Sequence, residues 1–250
     1  MNWLSPLWLA VALTLLLLIE RWIHRHLQGV MILLTGDPEI AVVLYALPLL
    51  PGIILHELSH ALAAILLGVR VGGISIRPKV KGKRVQLGFV PVEQTDVVRA
   101  SLIGLAPLLT GSGVILAIGY WVFHLGTIGT ALLGRDWSTL FDQLRMAMQA
   151  ADAWIWAYVI FAVSNTMVPS ESDRRAWPPI LIFLLICGVL VWVTGLGPTL
   201  LERIGDPLAM AVEWLALIAT FTVTVDGVFV VPIALLERIV GRVKGLEVQY

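Results

Sequence analysis

The sequence predicts an all-α membrane protein of about six transmembrane helices with one small β-hairpin at its cytoplasmic face. Three observations lead there. Hydrophobic residues make up 58% of the 250 and charged residues only 14%, against about 45–50% and about 25% in soluble globular chains. Several apolar runs reach the roughly 17 to 25 residues that a helix needs to cross a hydrocarbon core. Most of the charge falls between those runs. A soluble domain of this length would still need a charged surface, so the composition excludes that class.

Hydropathy places the helices near residues 3–20, 40–68, 100–124, 151–169, 179–196 and 208–236. The opening run, MNWLSPLWLAVALTLLLLIE, lacks a basic leader and an A-x-A-like cleavage site, so it reads as an uncleaved first span. The connections are short, and no repeat or low-complexity linker marks a second folded unit. Residues 1–250 therefore read as a single polytopic membrane domain. Between the second and third helices, VGGISIR and VQLGFV are short β-prone stretches, and KVKGKR between them turns around Gly82, which predicts a hairpin within residues 70–98.

Sidedness follows from the basic residues, which collect in cytoplasmic loops. Arg70, Arg77, Lys79, Lys81, Lys83, Arg84 and Arg99 lie in residues 69–99, whereas residues 125–150 hold only Arg135 and Arg145. The hairpin loop is thus expected in the cytoplasm, and with six crossings both termini join it in a multi-pass protein of the cell membrane. Seventeen Lys plus Arg balance seventeen Asp plus Glu, so no global field favours nucleic acid as a partner. The partner this composition implies is the lipid bilayer. Cys187 is the sole cysteine, which excludes an intrachain disulfide and a cysteine-based zinc site.

Within the second helix stands LPGIILHELSHALAAILLG. His56 and His60 are four residues apart and share a helical face, with Glu57 beside them. Two imidazoles one turn apart can hold a zinc ion, and a carboxylate one residue on can take a proton from a water at the metal. Three ionisable groups within one turn of a spanning helix cost several kcal/mol, on the order of 3 each on insertion scales, which favours function over mere structure. Catalytic zinc usually takes three protein ligands. His24 and His26 face different ways, and His124 sits at the far end of the third helix, so the third ligand falls to a carboxylate. Asp173, beyond Pro169 in the polar run SNTMVPSESD where irregular backbone is expected, and Asp226, inside the sixth helix, are the contestants.

HELSHALAAILLGVRV resembles the first motif of the site-2 protease family of zinc intramembrane metalloproteases. In that family an Asn at a helix end precedes an Asp ligand by eight positions with a proline between, a pattern similar to Asn165, Pro169 and Asp173. The resemblance implies Zn2+ held by His56, His60 and Asp173, with Glu57 as the catalytic base and Asn165 positioning the substrate. The basic hairpin resembles the family's membrane-associated hairpin, which is thought to hold an unfolded substrate as an added strand. The implied function is a zinc endopeptidase cutting peptide bonds in or near transmembrane segments of membrane proteins, alone or under a regulatory membrane partner. Residues 125–150 leave no room for the family's common PDZ domain. Arg174 and Arg175 stand where the family has glycines, and Ala106-Pro107-Leu108-Leu109-Thr110 where it often has Gly-Pro-Leu-x-Asn. The alternative expectation is a zinc-binding membrane protein or transporter that uses the same residues without proteolysis.

Overall fold

The structure is a computed structural model, and it describes residues 4–73, 79–81, 84–86, 88–149 and 152–246. Its backbone is organised by two long helices, α1 (Leu4–Thr35) and α10 (Gly197–Lys244), about 48 and 72 Å long at about 1.5 Å per residue. Ser5 Oγ donates to Glu213 Oε1 at 3.0 Å, and Trp8 Nε1 to Thr220 Oγ1 at 3.0 Å. Further along, His26 pairs with Glu237, and Lys244 Nζ donates to the Leu34 carbonyl at 2.6 Å. Partner numbers rise together, so the pair is parallel. Helix α1 runs fifteen residues past the expected end at 20 because its stripe of Ile23, Leu27, Val30 and Leu33 stays buried. Arg21 and Arg25 on its exposed side lower the mean hydropathy and hide that stripe.

The expected second helix, residues 40–68, is broken. It divides into α2 (Pro38–Ala46) and α3 (Leu50–Leu66), bent by 77°. Pro48 follows the end of α2 and Pro51 sits in the first turn of α3, where a missing N–H costs nothing. Asp37 caps α2 by accepting from the Glu39 and Ile40 amides. Gly68, at φ +69, ends α3: Val69 N–H reaches the Ala64 carbonyl at 2.8 Å and Gly68 N–H the Ile65 carbonyl at 3.0 Å, the paired bonds of a left-handed helix stop.

Beyond α3 the chain returns on itself. Gly72 N–H bonds the Pro91 carbonyl at 2.8 Å, and Glu93 N–H bonds the Arg70 carbonyl at 3.0 Å. Further out, β1 (Lys79–Lys81) pairs antiparallel with β2 (Arg84–Gln86), Lys79 opposite Gln86 and Lys81 opposite Arg84. The expected turn at Gly82 and most of VGGISIR lie outside the described residues. Strand β1 lies against α2.

Asp96 caps α4 (Val97–Trp121) through the Val98 and Arg99 amides. Residues 125–150 hold two short helices, α5 (Leu125–Leu133) and α6 (Trp137–Gln149). Asp136 opens α6, accepting from the Ser138 and Thr139 hydroxyls and the Thr139 amide, which hold its carboxyl down to about 2. Helix α7 (Ala153–Met167) is the centre of the fold. Its Phe161 packs with Ile23, Leu49, Ile53 and Ile233 on one side, and its Ile160, Val163 and Met167 pack with Ile115, Ile118, Ile218 and Val225 on the other. A Cβ on Gly52 would lie 2.0 Å from the Ala162 carbonyl oxygen, so α3 meets α7 backbone to backbone. The one-turn α8 (Glu171–Arg174) leads into α9 (Trp177–Val193), which buries no residue. An apolar helix without a buried face in its own chain suits a lipid environment.

This is the architecture of an all-helical membrane protein. Among the described residues, four helices are long and apolar enough to cross a membrane, Leu4–Thr35, Val97–Trp121, Glu171–Val193 and Gly197–Lys244, and five if the bent α2–α3 pair is one span. Helix α7, 15 residues long, extends about 22 Å, short of a core about 30 Å thick.

The expectation of two cytoplasmic termini requires α1 and α10 to be antiparallel. A parallel pair crossing one bilayer sends its two far ends to opposite faces. In a Cys187→Ser background, single cysteines replacing Leu4 and Gly245 are therefore expected to react with an impermeant maleimide from opposite sides of sealed vesicles. Labelling of both from the same side would overturn the parallel arrangement as a membrane topology.

Candidate metal centre

Helix α3 carries His56 and His60 on the face turned toward α4 and α8. One ligand atom from each of His56, His60 and Asp173 lies within 4.8 Å of the other two. The His60 and His56 Nε2 atoms are 3.1 Å apart, His60 Nε2 is 3.2 Å from Asp173 Oδ1, and His56 Nε2 is 3.9 Å from Asp173 Oδ2. Tetrahedral zinc with bonds of about 2.0–2.2 Å sets its ligand atoms about 3.3 Å apart. The side chains are only 10–13% exposed. Two imidazoles and a carboxylate facing one another at this spacing fit a divalent cation of the zinc type.

The orientation of His60 follows from its other nitrogen. Nδ1 lies 2.9 Å from the Ile103 carbonyl, which can only accept, so Nδ1 carries a proton and Nε2 is the atom turned to the cluster. His56 Nδ1 is buried without a hydrogen-bond partner among the described residues.

Asp173 is set by the one-turn helix rather than by the irregular backbone expected there. Ser170 caps α8 and Asp173 is its third residue. The Ser170 amide and hydroxyl donate to Asp173 Oδ2 at 2.7 and 2.6 Å. That reciprocal box occupies one carboxylate oxygen and leaves Oδ1 toward His60. Helix α4 holds α8 in place: Ser101 Oγ donates to the Ala176 carbonyl at 2.9 Å, and a Cβ on Gly104 would fall 2.2 Å from the Asp173 carbonyl oxygen. Arg174 and Arg175, whose positions beside the site were conspicuous in the sequence, are exposed. The Arg174 Nε turns back to the Ser170 carbonyl at 3.4 Å.

Glu57 is 6% exposed and is not one of the three clustered donors. The extended segment that follows β2 runs over it: a Cβ on Gly88 would lie 2.5 Å from Glu57 Oε1. Gly88 was not singled out from the sequence. Its signal is the glycine in VQLGFV, since a strand glycine often marks close approach of backbone to another group.

The second contestant, Asp226, belongs elsewhere. It is fully buried and accepts from Ser164 Oγ at 3.0 and 3.1 Å. Asn165 donates from Nδ2 to the Phe161 carbonyl at 2.9 Å and to Ser164 Oγ at 3.3 Å, while its Oδ1 is buried without a partner among the described residues. Asp226, Ser164 and Asn165 thus form a separate chain of hydrogen bonds between α10 and α7. Of the predicted residues, the structure brings His56, His60 and Asp173 together, with Glu57 one position along, and leaves Asp226 out of the donor cluster.

No protein-family model matches the chain, and no significant match is found among curated proteins or solved structures.

The close approach of α4 to Asp173 gives a direct test. Gly104→Ala is expected to destabilise the protein by about 1–3 kcal/mol, since a backbone atom must move to admit the methyl. Gly113→Ala, on the same helix with open space around it, is expected to be neutral or to stabilise by up to about 1 kcal/mol through backbone entropy. Thermal melts in detergent measure both. Equal melting temperatures for the two variants would contradict the contact.

Proposed function

We propose that the protein is a zinc-dependent intramembrane endopeptidase similar to the site-2 proteases, cutting peptide bonds in or near transmembrane segments of other membrane proteins. The observation that carries this reading is the convergence of His56, His60 and Asp173 within 4.8 Å, with Glu57 next to the first histidine and outside the donor set. Bound there by two Nε2 atoms and an Asp173 oxygen, zinc would polarise a peptide carbonyl and acidify a water.

The remaining steps belong to the chain. Glu57 accepts a proton from the attacking water and delivers it to the departing amine nitrogen. Ser170 holds Asp173, and the Ile103 carbonyl holds His60. Asn165 Oδ1, buried without a partner among the described residues, offers an acceptor for a substrate N–H. A helical substrate hides its carbonyls in its own hydrogen bonds, so it must be held extended. The segment from Gly88 to Val92, beside Glu57 and tied to residues 70–72, supplies an edge for strand addition.

Basic residues recur in the hairpin, at Lys79, Lys81 and Arg84, and at the C-terminal end of α10, at Arg238, Arg242 and Lys244. By the basic-residue rule both face the cytoplasm, while the N-terminus lies across the membrane.

A zinc-transporting or purely structural site would use the embedded carboxylate as a ligand. Glu57 stands outside the cluster, which favours the protease. Glu57→Gln is expected to retain one zinc per chain and to lose roughly 10²–10⁴-fold in cleavage of transmembrane peptides, because the amide cannot accept the proton. Asp173→Ala is expected to lose the metal, and Asp226→Ala to keep it. Metal analysis together with a peptide cleavage assay checks all three. A Glu57→Gln protein that holds zinc and cuts at the wild-type rate would remove the catalytic base from the account.

A further inference from the structure

His60 depends on a carbonyl that an α-helix should not have to spare. Ile103 lies in the first third of α4, where its carbonyl would normally accept the N–H of residue 107. Residue 107 is Pro107, inside the helix and fully buried. Proline has no N–H, and its ring crowds the carbonyl four residues earlier. The one carbonyl of α4 that Pro107 deprives of a donor is the one to which His60 Nδ1 is bonded, at 2.9 Å and out of contact with solvent.

From this coincidence we infer that Pro107 is a positioning residue for His60: by depriving the Ile103 carbonyl of the N–H four residues on, it frees that carbonyl for His60 Nδ1–H and so aims Nε2 at the cluster. The inference deepens the metal-centre reading given above and rests on it only for the consequence on zinc. A carbonyl has two lone pairs, but the helical bond directs the group along the axis at the next turn, whereas the imidazole approaches from α3 at the side. An amide at position 107 would draw the carbonyl back toward the axis. His60 Nδ1–H would then have to share the acceptor or give it up, and the ring would lose the bond that orients it. The same turn of α4 carries Gly104, pressed against the backbone of Asp173, so residues 103–107 support two of the three donors.

The two properties of proline, the missing N–H and the ring, can be separated in the full-length protein. Pro107→Ala restores the N–H. An α-hydroxy acid analogue of alanine at position 107, which places a backbone ester there, has neither ring nor N–H. With ¹⁵N-labelled histidine in the metal-free protein, the Nδ1-bound proton of His60 is expected to resonate at the low field of a hydrogen bond to a carbonyl in the unaltered chain and in the ester variant, and to lose that shift in Pro107→Ala. Zinc affinity by chelator competition is expected to fall about 10–100-fold in Pro107→Ala, the usual cost of losing an outer-shell partner, and to stay at the wild-type level in the ester. Pro232→Ala in α10, far from the cluster in sequence and on another helix, is the control and is expected to leave both readings unchanged. Retention of the low-field Nδ1–H shift in Pro107→Ala, or its loss in the ester variant, overturns the inference. Should Pro107→Ala not fold, the ester variant decides alone, since loss of the shift there assigns the role to the ring. An unaltered protein that binds no zinc would count against the metal-centre reading, while the Nδ1–H measurement would still decide the role of Pro107.

Discussion

Two imidazoles and a carboxylate held within 4.8 Å of one another inside an apolar bundle are the constraint on which the rest depends. Ionisable groups at membrane depth are expensive, and each must be paired, bonded or given an ion. The structure meets that demand with short, local devices. Ser170 takes one oxygen of Asp173, the Ile103 carbonyl takes the far nitrogen of His60, and the atoms left over face one another. A divalent cation between the two Nε2 atoms and Asp173 would give those facing atoms a common partner.

The scaffold serves this arrangement by bringing backbones close. Gly52 lets α3 meet α7, Gly104 lets α4 meet α8, and Gly88 lets an extended segment pass over Glu57. These are packing solutions typical of membrane helices, where small residues allow approach and hydrogen bonds replace the missing hydrophobic drive. Helix α7, too short to span by itself, is surrounded instead. It touches α3, α4 and α10 and so carries both Asn165 and the start of the path to Asp173. The parallel α1–α10 pair closes this core with Ile23 and Ile233 on one side of α7 and Ile218 and Val225 on the other.

Much of the site could be read from the sequence, because its chemistry is local. The HExxH spacing puts His56 and His60 on one face whatever the tertiary fold, and Ser170-Glu171-Ser172-Asp173 has the form of a capping box. Non-local geometry was hidden. The break between α2 and α3 was signalled by Pro48 and Pro51, yet the apolar run through them outweighed the prolines. The extension of α1 to Thr35 was masked because arginines on one side dilute a stripe that is buried on the other. The parallel sense of α1 and α10 cannot be read from either helix, since it depends on how the chain returns between them. Gly88 and Ile103 act through backbone position, which side-chain chemistry does not announce.

What those three side chains hold decides the chemistry of the cluster. X-ray absorption at the zinc edge of the purified protein, after loading with one equivalent of zinc, reports the ligands directly. The expected spectrum shows about four nitrogen or oxygen ligands at about 2.0–2.1 Å, with the outer-shell pattern of two imidazoles and no sulfur. A spectrum of zinc bound only by water, or with one imidazole or none, would contradict the account.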